Sequence, residues 1–327
     1  MRPGGPLPEK HALPSEGYPT EGTETDNEGS RMAGDAIRRV VLDTDIGDDI
    51  DDVYALAVAL HSPRVELMAV VTSGGRAAER VRTARRLIRL AGRDVPVFGG
   101  ADAGVAGALN YAAAAGDDPD DGPVPPFTAA VAAVRTALRD GAITLVCIGG
   151  LSNAARLLDA LDTDERRRLE IVAMGGSFER DYTGAPGAAR EGNIVRDIPA
   201  ARRVLAGDTP VTLVPIDATW NLALDQERLR LAHDPATGLG LALADLYAQW
   251  LDAYGYPSPV LHDPFALAVV LDPSLARFDS FPVEVDDAGY TRLARRGARH
   301  RVALSGDRDA FMQWVEQALL QAAGAGR

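Results

Sequence analysis

The stretch RRVVLDTDIGDDIDDVYALAVAL, Arg38 to Leu60, decides how the rest of the chain is read. Its apolar start predicts a buried strand over 37–43, and its apolar end predicts a helix over 51–62. Between them Asp43, Asp45, Asp48, Asp49, Asp51 and Asp52 fall within ten residues. Two carboxylates about 4 Å apart repel by roughly 4 kcal/mol at an effective dielectric near 20. A fold that gathers several must protonate some, solvate them, or bind something positive.

Working outward, short apolar runs alternate with helical patterns. Strands are expected at 37–43, 65–72, 95–98, 143–148, 169–174 and 211–216. Helices are expected at 51–62, 76–91, 127–139, 152–161 and 198–206, then near 225–233, 238–254 and 263–271. The segment 282–304 reads as a small antiparallel hairpin region and 307–322 as a closing helix. Long loops are expected at 99–126 and 177–190. Nearly continuous apolar strands separated by helices imply a parallel sheet covered on both faces. The fold class is therefore α/β, with a Rossmann-like, mostly parallel central sheet flanked by helices. Ligands of such sheets bind beyond the carboxyl ends of the strands. Asp43–Asp52, Thr72–Gly75, Ile148–Asn153, Met174–Ser177 and Pro215–Thr219 all stand at those ends, so they converge on one crevice.

Composition narrows the function. The 327 residues are 46% hydrophobic, enough for one large domain over 36–327. Residues 1–35 hold Pro, Gly, Ser and Glu without apolar clustering and read as a disordered tail, with Met32 a second candidate start. A net charge of −13 argues against a nucleic-acid partner. No apolar run reaches a membrane span, so the chain is expected in the cytoplasm. Lys10 is the only lysine, which removes P-loop and Schiff-base chemistry. Cys147, the single cysteine, sits in an apolar run and excludes a disulfide.

The aspartate loop admits several readings. A solvated turn needs fewer acidic residues than this. An EF-hand needs glycine sixth and glutamate twelfth, whereas counting from Asp43 these are Gly47 at fifth and Tyr54 at twelfth. A phosphatase of the haloacid dehalogenase type also places Asp-x-Asp after its first strand, but it wants a lysine that this chain lacks outside its tail. A hard dication fits best: it takes carboxylate, carbonyl and water oxygens, and "LHDP" at 261–264 brings a further carboxylate, Asp263.

From about 38 to 320 the chain resembles the inosine–uridine nucleoside hydrolase family. "DTDIGDDIDDVYAL" (43–56) is similar to that family's Asp-Thr-Asp-Pro-Gly-x-Asp-Asp motif, in a form two residues longer. "CIGGLSNAARLL" (147–158), "VAMGG" (172–176), "EGNIVRDIPAA" (191–201) and "LHDPFALAVVLDPSL" (261–275) resemble later motifs in the same order. The resemblance implies Ca²⁺ held by Asp45, Asp52, Asp263 and the Ile148 carbonyl, with Asp43 supporting that shell. It implies Asp45 as general base on a calcium-bound water, and His262 as an acid near the leaving base. Asp51, Glu191 and Asn193 would hold the sugar. The implied reaction is hydrolysis of a ribonucleoside or related N-riboside to free base and ribose, by a homodimer or homotetramer. Such chemistry suits the cluster, because an oxocarbenium-like transition state needs negative charge and a positioned water.

Other roles stay open for several of these residues. Glu191 and Asn193 also fit ordinary loop positions, and His262 also fits a helix cap. Trp220, Trp250, Tyr254 and Tyr256 fit a core or interface as well as a pocket wall. Two departures bear on the substrate. Gly75 and Ala185 stand where the family carries sugar-contacting asparagines. They leave open a non-catalytic riboside-binding protein of the same fold.

Overall fold

The computed structural model describes residues 36–101, 109–113 and 122–324. The tail 1–35 and much of the expected loop 99–126 lie outside the described residues. Among the described residues, nine strands form one sheet: β1 Arg38–Thr44, β2 Val65–Thr72, β3 Val97–Phe98, β4 Ile143–Cys147, β5 Leu169–Met174, β6 Val211–Val214, β7 Ala276–Val285, β8 Thr291–Leu293 and β9 Arg299–Gly306. Their order is β3-β2-β1-β4-β5-β6-β9-β7-β8. All neighbours from β3 through β9 pair in parallel, and β7 runs antiparallel to both β9 and β8.

The helices are α1 Asp51–His61, α2 Ala77–Leu90, α3 Phe127–Asp140, α4 Ser152–Ala160, α5 Thr163–Arg166, α6 Gly192–Arg196, α7 Ile198–Leu205, α8 Ile216–Thr219, α9 Gln226–Ala232, α10 Gly238–Tyr254, α11 His262–Leu271 and α12 Arg308–Gly324. Successive strand side chains point to opposite faces, so Val40 and Leu42 enter one core layer and Val41 the other. α1, α2 and α9–α12 cover the first face, while α3, α4 and α7 cover the second. None of the described helices is long and apolar enough to cross a membrane.

The expected strands and helices of the first two-thirds are present within a few residues of their sequence bounds. The segment 282–304 differs. The expected antiparallel hairpin is there, β7 pairing with β8 from Val283↔Leu293 to Val285↔Thr291, but it is not set apart, because β9 inserts beside β6 and joins it to the main sheet. Val302, Ala303 and Leu304 are buried against both layers, and an apolar run of that kind is stable only inside a covered sheet.

The topology positions the site. From β1 the chain moves outward through β2 and β3, then returns to start β4 on the other side of β1. The carboxyl ends of β1 and β4 thus flank the switch point of the sheet, where ligands of open α/β folds bind. Asp43 pairs with Cys147 at that edge.

Candidate active site

The loop after β1 turns on Gly47, whose φ of +113° suits glycine, and whose carbonyl accepts from Asn110 N at 2.7 Å. The turn delivers Asp51 and Asp52 to the first turn of α1, where the helix dipole favours negative charge. Asp263 occupies the matching position in α11. The two helix starts are tied together, since Asp263 N donates to Asp51 Oδ2 at 3.0 Å. One carboxylate oxygen each from Asp51, Asp52 and Asp263 lies within 4.8 Å of the others. Thr44 Oγ1 donates to Asp52 Oδ1, and Ile46 N donates back to Thr44 Oγ1 at 3.0 Å.

Asp51, Asp52 and Asp263 line a cavity of about 180 Å³ with Asp45, Asp48, Asp49, Ile148, Glu191, Asn193 and His262. Every site residue expected from the sequence is therefore on this wall except Asp43. That aspartate stands behind it, fully buried, with Oδ1 accepting from Asn153 Nδ2 at 2.8 Å. Asn153 also donates to Thr72 O and accepts from Ala101 N, so it pins three strand ends at once.

Glu191 caps α6, accepting from Asn193 N and Ile194 N, and takes a third bond from Gly176 N at 3.0 Å. Asn193 Nδ2 donates to Ile148 O at 3.1 Å and Met174 O at 3.2 Å. His262 Nδ1 lies 2.7 Å from Thr219 Oγ1. The same hydroxyl donates to Pro215 O at 3.3 Å. Burial pushes the His262 pKa down to about 4, so the ring is neutral at pH 7.

The carboxylates move the other way. Burial, then repulsion from neighbouring carboxylates (Asp49 on Asp51, Asp45 on Asp52, Asp51 on Asp263), holds Asp51, Asp52 and Asp263 well above the usual range. Burial pushes Asp43 up to about 7 and Asp49 up to about 6. A set that resists ionisation this strongly in the metal-free protein is a set whose charge a cation would stabilise. The converging oxygens of Asp51, Asp52 and Asp263 therefore fit a metal ion.

Several features were not visible in the sequence reading. Asp48 and Asp49 are half-buried: Trp250 Nε1 donates to Asp49 Oδ1 at 2.9 Å, and Asn110 Nδ2 donates to Asp48 O at 2.8 Å. No basic residue neighbours the loop in sequence, yet two arginines reach it. Fully buried Arg80 donates to the carbonyls of Asp45, Ile46 and Gly75. Arg196 pairs with Asp45 at 2.9 Å and with Asp48. Arg196 lies three residues after Asn193 on α6, and that spacing puts both on one helix face. Tyr182, from the 177–190 loop, meets His262 edge-on at 5.9 Å, and its hydroxyl accepts from Gly192 N. Of the aromatics weighed from the sequence, Tyr254 reaches the cavity wall, while Trp250 is core.

The model of the family described as inosine-uridine preferring nucleoside hydrolase matches residues 40–313. The chain belongs to that family. As a nucleoside hydrolase it is an N-glycosyl hydrolase. The pyrimidine-specific ribonucleoside hydrolase RihA of Klebsiella pneumoniae is 30% identical over 308 residues, covering 86% of this chain and 97% of the relative. RihA of an Enterobacter species is 33% identical over 254 residues, 72% of this chain and 80% of its own. Among solved structures, the plant nucleoside hydrolase PpNRh1 superposes with a TM-score of 0.69 at 23% identity, covering 88% of this chain and 98% of its own. The purine-preferring ribonucleoside hydrolase of Gardnerella vaginalis gives 0.69 at 23% identity, covering 88% and 99%. These two share the nucleoside hydrolase fold with this chain.

Proposed function

We propose that the chain is a Ca²⁺-dependent hydrolase of the N-glycosidic bond of a ribonucleoside or related N-riboside, releasing free base and ribose. The observation that carries this reading is the meeting of two helix starts at the sheet's switch point, where Asp51, Asp52 and Asp263 converge. Asp45, Asp52 and Asp263, with the Ile148 carbonyl, would hold the ion. When bound, Ca²⁺ would supply positive charge that acidifies water and engages a vicinal diol.

The chain's own residues supply the remainder. Asp45 is the general base that takes the proton of the attacking water. Asp51, Glu191 and Asn193 orient the sugar, and Asp43 supports the loop from behind through Asn153. Glu191 and Asn193 are already fixed by backbone contacts, so they enter the reaction pre-organised. The ring of carboxylates faces the positive charge that builds on the sugar as the bond breaks. His262, on the cavity wall, is the candidate acid toward the departing base. Tyr182 and Tyr254 offer aromatic faces for that base.

A pyrimidine ribonucleoside is the first substrate class to try, since the RihA relatives are named pyrimidine-specific. We also place the protein in the cytoplasm as a homo-oligomer. The test is a panel of purine and pyrimidine ribonucleosides, with free base quantified by chromatography before and after chelation. Base release that stops on chelation and returns with Ca²⁺ is expected. Turnover indifferent to thorough metal removal overturns the calcium requirement, and intact ribosides bound without any base release favour a binding protein instead.

A further inference from the structure

The proposed hydrolysis gives a task to every carboxylate on the cavity wall except Asp48 and Asp49. Asp48 is paired with Arg196. Asp49 lies in the turn between Gly47 and α1, where its backbone and one carboxylate oxygen are both tied. Its Oδ1 accepts from Ile50 N at 2.7 Å and from Trp250 Nε1 at 2.9 Å, and its carbonyl accepts from the Tyr111 hydroxyl at 2.6 Å. Those donors fill both lone pairs of Oδ1. Among the described residues no donor reaches Oδ2, so that oxygen is the one Asp49 offers to the cavity. Asp49 also marks the aromatic end of the site. Trp250, which donates to it, has Tyr254 and Tyr256 at ring-centroid distances of 5.3 and 5.2 Å. Burial, then the Asp49 charge, raises the hydroxyl pKa of both tyrosines. Tyr254 shares the cavity wall with Tyr182 and His262, the groups that face the departing base.

We infer that Asp49 is a specificity-determining residue that reads the departing base, and that the preferred base presents an exocyclic amino group to Oδ2. The inference rests on the ribonucleoside hydrolase reading and names the substrate class within it. An ionised carboxylate accepts hydrogen bonds and donates none. An amino group, as on cytosine or adenine, supplies the donor that Oδ2 lacks. An oxo group at the same ring position, as on uracil or hypoxanthine, sets its lone pairs against a half-buried anion, and neither oxygen gains a partner. Leaving both groups unpaired out of water discriminates more strongly than the loss of an apolar contact. The reading group is also pre-set: with Oδ1 and the Asp49 carbonyl already bonded, little ordering remains when the base arrives.

The test compares amino and oxo partners, cytidine with uridine and adenosine with inosine, with Ca²⁺ in the buffer. In the better-cleaved pair, kcat/KM for the amino member is expected about ten- to a hundredfold above that for its oxo partner. The corresponding free bases should inhibit in the same order, cytosine more strongly than uracil or adenine than hypoxanthine, by about tenfold. That second ratio is independent of how easily each glycosidic bond breaks. Asp49→Asn keeps an oxygen for Ile50 N and Trp250 Nε1 and turns Oδ2 into an amide donor. It should lower the amino-to-oxo ratio by about tenfold or more, through KM rather than kcat. An unchanged ratio in Asp49→Asn, or an equal loss for both members of the pair, overturns the inference and leaves Asp49 a support of the turn. Should Asp49→Asn fail to fold, inhibition of the wild-type protein by the free bases decides alone, and equal inhibition overturns the inference. Base release without an amino preference overturns this inference only, whereas no base release from any riboside overturns the hydrolase reading and this inference together.

Discussion

The two ends of the sheet make opposite use of charge. At the amino ends of β4, β5 and β6 a groove of about 790 Å³ is lined by Arg166, Arg167, Arg168 and Arg203. It is far larger than the acidic cavity of about 180 Å³ at the carboxyl ends. Its arginines pair in solvent: Arg167 with Asp164 at 3.1 Å, where both side chains are more than 70% exposed, and Arg203 with Asp159. Such pairs are worth about 0–1 kcal/mol. At the other end the carboxylates are buried, adjacent and short of cations, so each raises the next. Burial of like charge, rather than volume, marks the place where a ligand has work to do.

Asp45→Asn gives the sharpest contrast between the two ends. Losing a general base should lower kcat by roughly 10²- to 10⁴-fold, with KM changed much less, in steady-state assays on the best nucleoside of the panel. Equal losses in binding and turnover would assign Asp45 to substrate holding instead.

Stability against pH gives an intermediate effect, again from the acidic end. In the metal-free protein Asp43 keeps its proton up to about pH 7, and Asp51, Asp52 and Asp263 keep theirs well above the usual range. The unfolded chain gives these protons up near pH 4. The folded state thus binds more protons, and stability falls as pH rises through the folded values. His262 and His233, both held near 4 by burial, have the reverse sign and act below pH 6.5. Between pH 6.5 and 8 the carboxylates act alone. The melting temperature of chelated protein should fall by a few degrees across that window, and Ca²⁺ should reverse the fall. A flat or rising curve would show that the carboxylates are not buried as described.

The smallest effect belongs to the arginine groove. Arg167→Ala, at an exposed pair, should change kcat/KM by less than about twofold and leave the melting temperature nearly unaltered. A large loss of activity there would break the division between the two ends.

Much of this was legible beforehand. Apolar runs of strand length followed by helical periods gave the parallel core from Arg38 to Val214, because burial on both faces leaves a continuous signature. In 282–304 the antiparallel pairing was legible, but its attachment to the main sheet was not. β7 and β8 form the hairpin, but the place of β9 beside β6 depends on a strand almost ninety residues earlier. Local pattern carries no such information.

The site divides in the same way. The sequence by itself determined the acidic loop, its place after the first strand, and the partner carboxylate Asp263, since residue type and order are enough for those. Tertiary structure alone decided that Asp43 lies behind the cavity, that Trp250 and Asn110 bind Asp49 and Asp48, and that Arg80 and Arg196 reach Asp45. Those contacts join residues from 35 to over 200 positions apart. Charge balance in a buried cavity is a sum over everything the fold brings near, and only the assembled sheet states which charges are included.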